Sequence, residues 1–255
     1  MVNRDGRHAF VLLPRARHAA NVDGMKTIGM IGGMSWQSST TYYQIVNRAV
    51  QERLGGVHSA KILMYSFDFG EVSALQAAGR WDEATDWMAT VGATLAKGGA
   101  DFLMICCNTM HLMADAVEKA ARAPLLHIAD PLGEKIVADR RKRVALLGSR
   151  FTMEDGRIIA DRLRTKFDIE VVVPDEPDRA AVDHIIQTEL VRGEFLDASR
   201  TAYRDVMARL VAQGCDGIVL GCTEIPLLVK AEDATVPLYD TTALHAFAAV
   251  DRALA

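Results

Sequence analysis

The chain has 255 residues, enough to bury a sizeable core in one large domain or two smaller ones. Half of it is apolar, 24% is charged and 7 residues are proline, which excludes extended disorder over most of its length. A net charge of -4 gives no long-range pull on nucleic acid, and no apolar run approaches the ~20 residues of a membrane-spanning helix.

In chain order, residues 1–24 differ in character from the rest. Their apolar run, Ala9 to Leu13, is too short for the centre of a secretory signal, so they read as a disordered extension or a translated leader before Met25. Short apolar runs at 27–31, 61–67, 102–106, 125–128, 144–147, 170–173 and 218–221 read as buried parallel strands. Amphipathic stretches at 41–54, 82–97, 153–167 and 198–213 read as helices. Strand and helix in turn predict parallel sheets covered on both faces. The basic run Arg140 to Arg143 reads as a solvated helix end.

Two segments nearly superimpose. Gly99-Ala-Asp101, an apolar run and Cys107 match Gly214-Cys-Asp216, an apolar run and Cys222, at an offset of 115 residues. Lys26 to Gly32 matches Lys142 to Gly148, and Pro124 to Asp130 matches Pro237 to Asp240. The predicted fold class is therefore α/β, with two similar parallel-sheet lobes related by a pseudo-twofold axis and a cleft between them. The expected division is 25–129 plus 237–255 for the first lobe and 130–236 for the second, the last helix crossing back to the first.

Cys107 and Cys222 each end an apolar strand and precede a helical stretch, 109–121 and 225–230. In open parallel sheets the ligand crevice lies beyond the carboxyl ends of the strands, so both thiols fall at the functional edge. A helix N-terminus beside a thiol favours thiolate, and a lowered thiol pKa is expected at both sites. Inverting a stereocentre by proton transfer needs a base on one face of the carbon and an acid on the other. Two thiols, with an unperturbed pKa near ~8.5, suit this because their roles exchange with substrate handedness. Asn108, Thr109 and Thr223, with their backbone N–H groups, are the candidate donors to a substrate carboxylate. Cys106 and Cys215 read as buried small hydrophobes. Four cysteines without close repeating spacing predict free thiols in a reducing compartment, the cytoplasm.

At these residues the sequence resembles the aspartate/glutamate racemase superfamily, whose members carry Cys-Asn-Thr in one lobe and Gly-Cys-Thr-Glu in the other. Here they stand as Cys107-Asn108-Thr109 and Gly221-Cys222-Thr223-Glu224. Met25 to Trp36, Asn108-Thr109-Met110-His111 and His127-Ile128-Ala129-Asp130 resemble the broad-specificity amino-acid racemase branch more closely. The resemblance implies an isomerase that interconverts L- and D-amino acids without cofactor or pyridoxal phosphate, with Cys107 and Cys222 catalytic and a homodimer expected. In that branch the first catalytic position is sometimes threonine; this chain has Cys107, so both thiols are present. The resemblance further implies substrate contacts from Met34, otherwise a packing residue, and from Gln76, otherwise an ordinary helix residue. Aspartate-specific members hold the second carboxylate with an arginine and a lysine. The stretches Tyr65 to Val72 and Ile186 to Arg192 supply neither at the matching place, Arg192 being one position off, so a neutral side chain such as homoserine or methionine is as well matched as aspartate.

Gly29, Gly32 and Gly33 lack dinucleotide-fingerprint spacing, and seven dispersed histidines show no metal-binding pair, so neither a nucleotide nor a metal site is expected. His111 is read either as orienting the first thiol or as a packing residue, and Glu224 as accepting a hydrogen bond from a helix start. Asp68 and Glu189 read equally as pocket or solvated residues. The rival functions are a hydantoin racemase or maleate isomerase on the same scaffold, a catalytically silent amino-acid-binding module, and a thiol redox protein, which the lack of Cys-x-x-Cys disfavours.

Overall fold

The computed structural model describes residues 24–255, so all but the last residue of the expected leader lies outside the described residues. Two four-stranded parallel sheets organise the chain. The first contains β1 (Ile28–Gly32), β2 (Ile62–Ser66), β3 (Phe102–Ile105) and β4 (Leu125–Leu126), in the order β2-β1-β3-β4. The second contains β5 (Arg143–Gly148), β6 (Glu170–Val172), β7 (Gly217–Gly221) and β8 (Leu238–Asp240), in the order β6-β5-β7-β8. The second order repeats the first strand for strand, as the sequence duplication predicts.

Alternation along the strands sorts the cores. In the first sheet Met30, Phe102 and Met104 face α1 (Trp36–Leu54) and α11 (Thr241–Leu254), while Ile31, Leu103 and Ile105 face α2 (Phe69–Ala77), α3 (Trp81–Lys97) and α4 (Ala114–Ala121). In the second, Ala145, Leu147, Ile218 and Leu220 pack under α8 (Glu176–Thr188) and α9 (Asp197–Ala212). Val144, Leu146 and Val219 pack under α5 (Ala129–Ala138) and α7 (Ala160–Phe167).

Helix α11 packs against α1 beside the first sheet. Its small residues Ala246, Ala249 and Ala253 let it lie closely against Tyr42, Val46 and Val50 of α1. It also touches α5, so it forms part of the layer between the lobes. The expected boundary needs one change: residues 238–240 pair with β7 and belong to the second sheet, and only α11 returns to the first. Residues 153–167 are not one helix either. Asp155, at φ -96 and ψ 99, ends α6 (Arg150–Glu154), and the chain re-enters the helical region only at α7. The basic run is partly as expected: Arg140 is exposed after α5, but Arg143 already lies in β5 and pairs with Glu170.

The glycines that follow β1 are packing requirements. Gly33 has φ +90, and a Cβ there would stand 2.2 Å from the Phe67 backbone nitrogen. A Cβ on Gly32 would stand 2.6 Å from Ser39 Oγ, which instead accepts the Gly33 N–H at 2.8 Å.

Candidate active site

Cys107 lies two residues beyond β3 and Cys222 one residue beyond β7, at equivalent carboxyl ends of the two sheets. Both are free and half-buried, whereas Cys106 and Cys215 are buried in the cores of the first and second lobes. Each feature agrees with the sequence expectation. Hydrogen bonds join the segments that carry the two thiols to the opposite lobe, Thr109 to Ser149 and Thr152, and Thr223 and Glu224 to Ser38.

The residues after each thiol tie the lobes together. Ser35 caps α1, its Oγ accepting the Ser38 N–H, and Ser149 caps α6 in the same way, accepting from Thr152. The Thr109 hydroxyl meets Ser149 at 3.1 Å and Thr152 at 3.0 Å across the lobe boundary. Glu224, offset from Thr109 by the same 115 positions as the thiols, accepts from Ser35 at 2.6 Å and Ser38 at 2.5 Å. It also accepts from Thr223 at 2.8 Å and from the Cys222 thiol at 3.0 Å. The expected acceptance from the helix start that follows Glu224 is not made; its donors are side chains, two of them the Ser35 and Ser38 hydroxyls at the start of α1. The two Ser-x-x-Ser/Thr caps were legible in the sequence as matched N-cap signatures; their partners, far along the chain, were not.

The thiols do not follow the expected lowering. Burial pushes Cys107 up to about 11; the Met110 and Thr109 N–H groups oppose this and the Glu224 carboxylate adds to it. Cys222 is raised well above its ordinary value, by burial first, then by Glu224 and by Cys107. Burial outweighs the helix starts that follow: Thr109–Met113, a stretch of 3-10 helix running into α4, and α10 (Ile225–Leu228), a single turn.

Asn108 is held by its amide. Thr241 gives its hydroxyl hydrogen to the Leu220 carbonyl at 2.9 Å, so it accepts from Asn108 Nδ2 at 3.1 Å. That orientation leaves Asn108 Oδ1 buried with no protein partner, an acceptor where the sequence suggested a donor. Gln76, half-buried on α2, reaches Met110 Sδ at 3.3 Å beside the Cys107 segment. Met34 is buried among Ile31, Val72, Leu75 and Met110. Asp68 caps α2 and Glu189 accepts from Ser199, while Arg192 is exposed after α8.

Behind Cys107, His111 Nδ1 lies 2.8 Å from the Cys107 carbonyl, and its Nε2 accepts the Ile128 N–H at 3.1 Å. One ring nitrogen therefore donates and the other accepts, which fixes a neutral tautomer. Burial, with His127 and His245 beside it, lowers its pKa well below the ordinary value. His111 thus holds the backbone of Cys107 rather than its thiol. His245 donates Nε2–H to the Leu126 carbonyl and accepts from Tyr42.

Among the described residues no cluster of three or more His, Cys, Asp or Glu side chains is arranged to hold a metal ion, and no helix is long and apolar enough to cross a membrane.

Comparison with known proteins agrees with this arrangement. The family described as Asp/Glu/Hydantoin racemase matches residues 31–249. A candidate Asp/Glu racemase from Yersinia pestis is 49% identical, with a TM-score of 0.85 over 91% of this chain and 100% of that one. An aspartate racemase homologue from Pyrococcus horikoshii is 29% identical, with a TM-score of 0.78 over 90% of this chain and 99% of that one. A glutamate racemase from Pseudomonas aeruginosa is 29% identical over 60% of this chain, the match spanning 58% of that enzyme's length. A broad-specificity amino-acid racemase from Bacillus subtilis is 24% identical over 63% of this chain and 68% of its own. With a match that takes in both sheets and both thiols, this chain belongs to the Asp/Glu/hydantoin racemase family.

Proposed function

We propose that this protein is an amino-acid racemase that needs no cofactor and exchanges the α-proton between Cys107 and Cys222. The observation that carries the reading is the placement of two free, half-buried thiols at equivalent strand ends of duplicated lobes, on segments hydrogen-bonded across the lobe boundary. One thiolate removes the α-proton, the electron pair stays on carbon and spreads into the carboxylate, and the other thiol protonates the opposite face.

Thr109 and Thr223 carry hydroxyls two residues and one residue beyond the thiols. Either can turn from its present partner to a substrate carboxylate, exchanging one hydrogen bond for another of similar worth. Gln76 and Met34 lie on the first-lobe side, the former through its contact with Met110.

An α-ammonium group is favoured over a malonate or maleate by Asn108. Its buried Oδ1 has no partner, and an unpaired buried acceptor costs about 1–3 kcal/mol until a donor arrives. The stretches Tyr65 to Val72 and Ile186 to Arg192, which carry no arginine or lysine at the matching places, favour broad specificity over strict use of aspartate.

The test is incubation with a panel of L-amino acids in deuterated water. Incorporation of deuterium at the α-carbon with formation of the D-enantiomer is expected. Stabilisation by an amino acid without exchange at any member of the panel would replace this reading with the silent binding module.

A further inference from the structure

The duplicated halves differ at one position that matters to the thiols. Position 109 in the first half is threonine, and its counterpart 224 in the second is glutamate. Both side chains face a matched pair of hydroxyls, Ser149 and Thr152 for one, Ser35 and Ser38 for the other. Thr109 completes a neutral hydroxyl cluster. Glu224 brings a carboxylate into the same place and sets it against the neighbouring thiol, with Cys222 Sγ donating to its Oε2 at 3.0 Å.

We infer that Glu224 divides the two thiols into unequal partners: Cys222 keeps its proton and acts first as the acid, and Cys107 acts first as the base.

The carboxylate is held in place for this. Glu224 is 3% exposed, its Oε1 accepts from Ser35 and Ser38, and its Oε2 from Thr223 and Cys222. A carboxylate filled by donors at both oxygens favours the protonated form of the thiol that supplies one of them. Cys107 has two backbone N–H groups, from Thr109 and Met110, and feels Glu224 only through space, whereas Cys222 has one backbone N–H, from Glu224, and is hydrogen-bonded to the carboxylate itself. Cys106 and Tyr42 lie near Cys107 and Tyr203 near Cys222, and burial raises all three and holds them neutral. His111, fixed as the neutral tautomer, adds no charge.

The proton account closes. The Cys107 thiolate takes the α-proton, breaking the C–H bond, and the Cys222 S–H bond breaks to protonate the opposite face. The enzyme is left with a Cys107 thiol and a Cys222 thiolate beside Glu224. That arrangement is the less favourable one, and it relaxes by the reverse turnover or by proton exchange with water.

This assignment of roles rests on the racemase reading, but the order in which the thiols ionise does not. Site-resolved alkylation of the full-length protein with iodoacetamide, followed by peptide mass spectrometry over a series from neutral to alkaline pH, measures that order directly. The midpoint of each rate profile reports ionisation and is independent of how accessible each sulfur is. Cys107 is expected to ionise at the lower pH, and Glu224→Gln to move the Cys222 midpoint down by about one unit, a tenfold gain in thiolate at fixed pH. If Cys222 ionises first in the unmodified protein, the inference is overturned, and this arm needs no variant. A folded Glu224→Gln protein with an unmoved Cys222 midpoint overturns it too. Loss of α-proton exchange together with the expected thiol order would instead remove the racemase reading and leave the thiol order standing.

Discussion

The Thr109 hydroxyl stands 3.0 Å from that of Thr152, so the residue two beyond the first thiol is bonded to the opening helix of the other lobe. The contact between Ser38 and Glu224 does the same in reverse. Lobe closure and thiol placement are thus one event, because the residues that latch the lobes belong to the segments that carry the cysteines.

Removing a latch should therefore loosen the structure and the site together. Ser38→Ala takes one donor from a buried carboxylate, and a loss of about 1.5–3 kcal/mol in unfolding free energy is expected. Thr152→Val breaks a contact between neutral hydroxyls and should cost less, about 1 kcal/mol. Urea unfolding of both variants checks the order of the two effects.

The four cysteines separate into two kinds. Cys107→Ser and Cys222→Ser should each lower racemisation by a factor on the order of 10²–10⁴, the range for a lost general acid or base. Cys106→Ala and Cys215→Ala remove thiols from the lobe cores and should leave turnover within a few-fold. Assay of all four, with circular dichroism to confirm folding, distinguishes chemistry from packing; equal losses would mean packing.

The raised thiols set the pH dependence. One thiolate and one thiol are needed, so kcat/KM should rise with pH along a limb lying above the ordinary thiol range, toward the free-enzyme value of about 11 for Cys107. It should fall again only where Cys222 also loses its proton. A rising limb centred near neutrality would contradict the burial seen here. Free L- and D-substrates have an equilibrium constant of unity, so kcat/KM must agree in the two directions, and any directional effect of the Cys222–Glu224 contact appears in kcat and KM together, by the same factor.

Buried histidines set the acid limit of stability. Burial lowers His245 to about 4 and His127 to about 3, and lowers His111 well below its ordinary value. As pH falls below about 6.5 the unfolded chain takes up protons that the folded one refuses, so stability present above that pH is lost on the way down to about 4. His245 alone accounts for about 3 kcal/mol of that loss. The thermal midpoint should drop steeply between neutrality and pH about 4, and His245→Asn should flatten the drop.

Asn108 gives the test of substrate class. Asn108→Ala removes the unpaired acceptor assigned to the substrate ammonium, and KM for amino acids should rise by about tenfold, the worth of a hydrogen bond to a charged group. An unchanged KM would move the ammonium elsewhere in the site.

What the sequence determined by itself was local or repeated. Strand and helix periodicities marked the alternation, the 115-residue offset marked the duplication and the equivalence of Cys107 with Cys222, and residue type and local position marked Cys106 and Cys215 as core. Only the tertiary structure decided the rest. The pairing of β8 with β7, the partners of Thr109 and Glu224, and the neutral histidine packing behind Cys107 join residues with no sequence period between them. The direction of the thiol shifts is the clearest case. The sequence pointed to a helix start and thus a lowered value, but burial outweighs it at both thiols, and desolvation is a property of everything packed around a group, which no local pattern records.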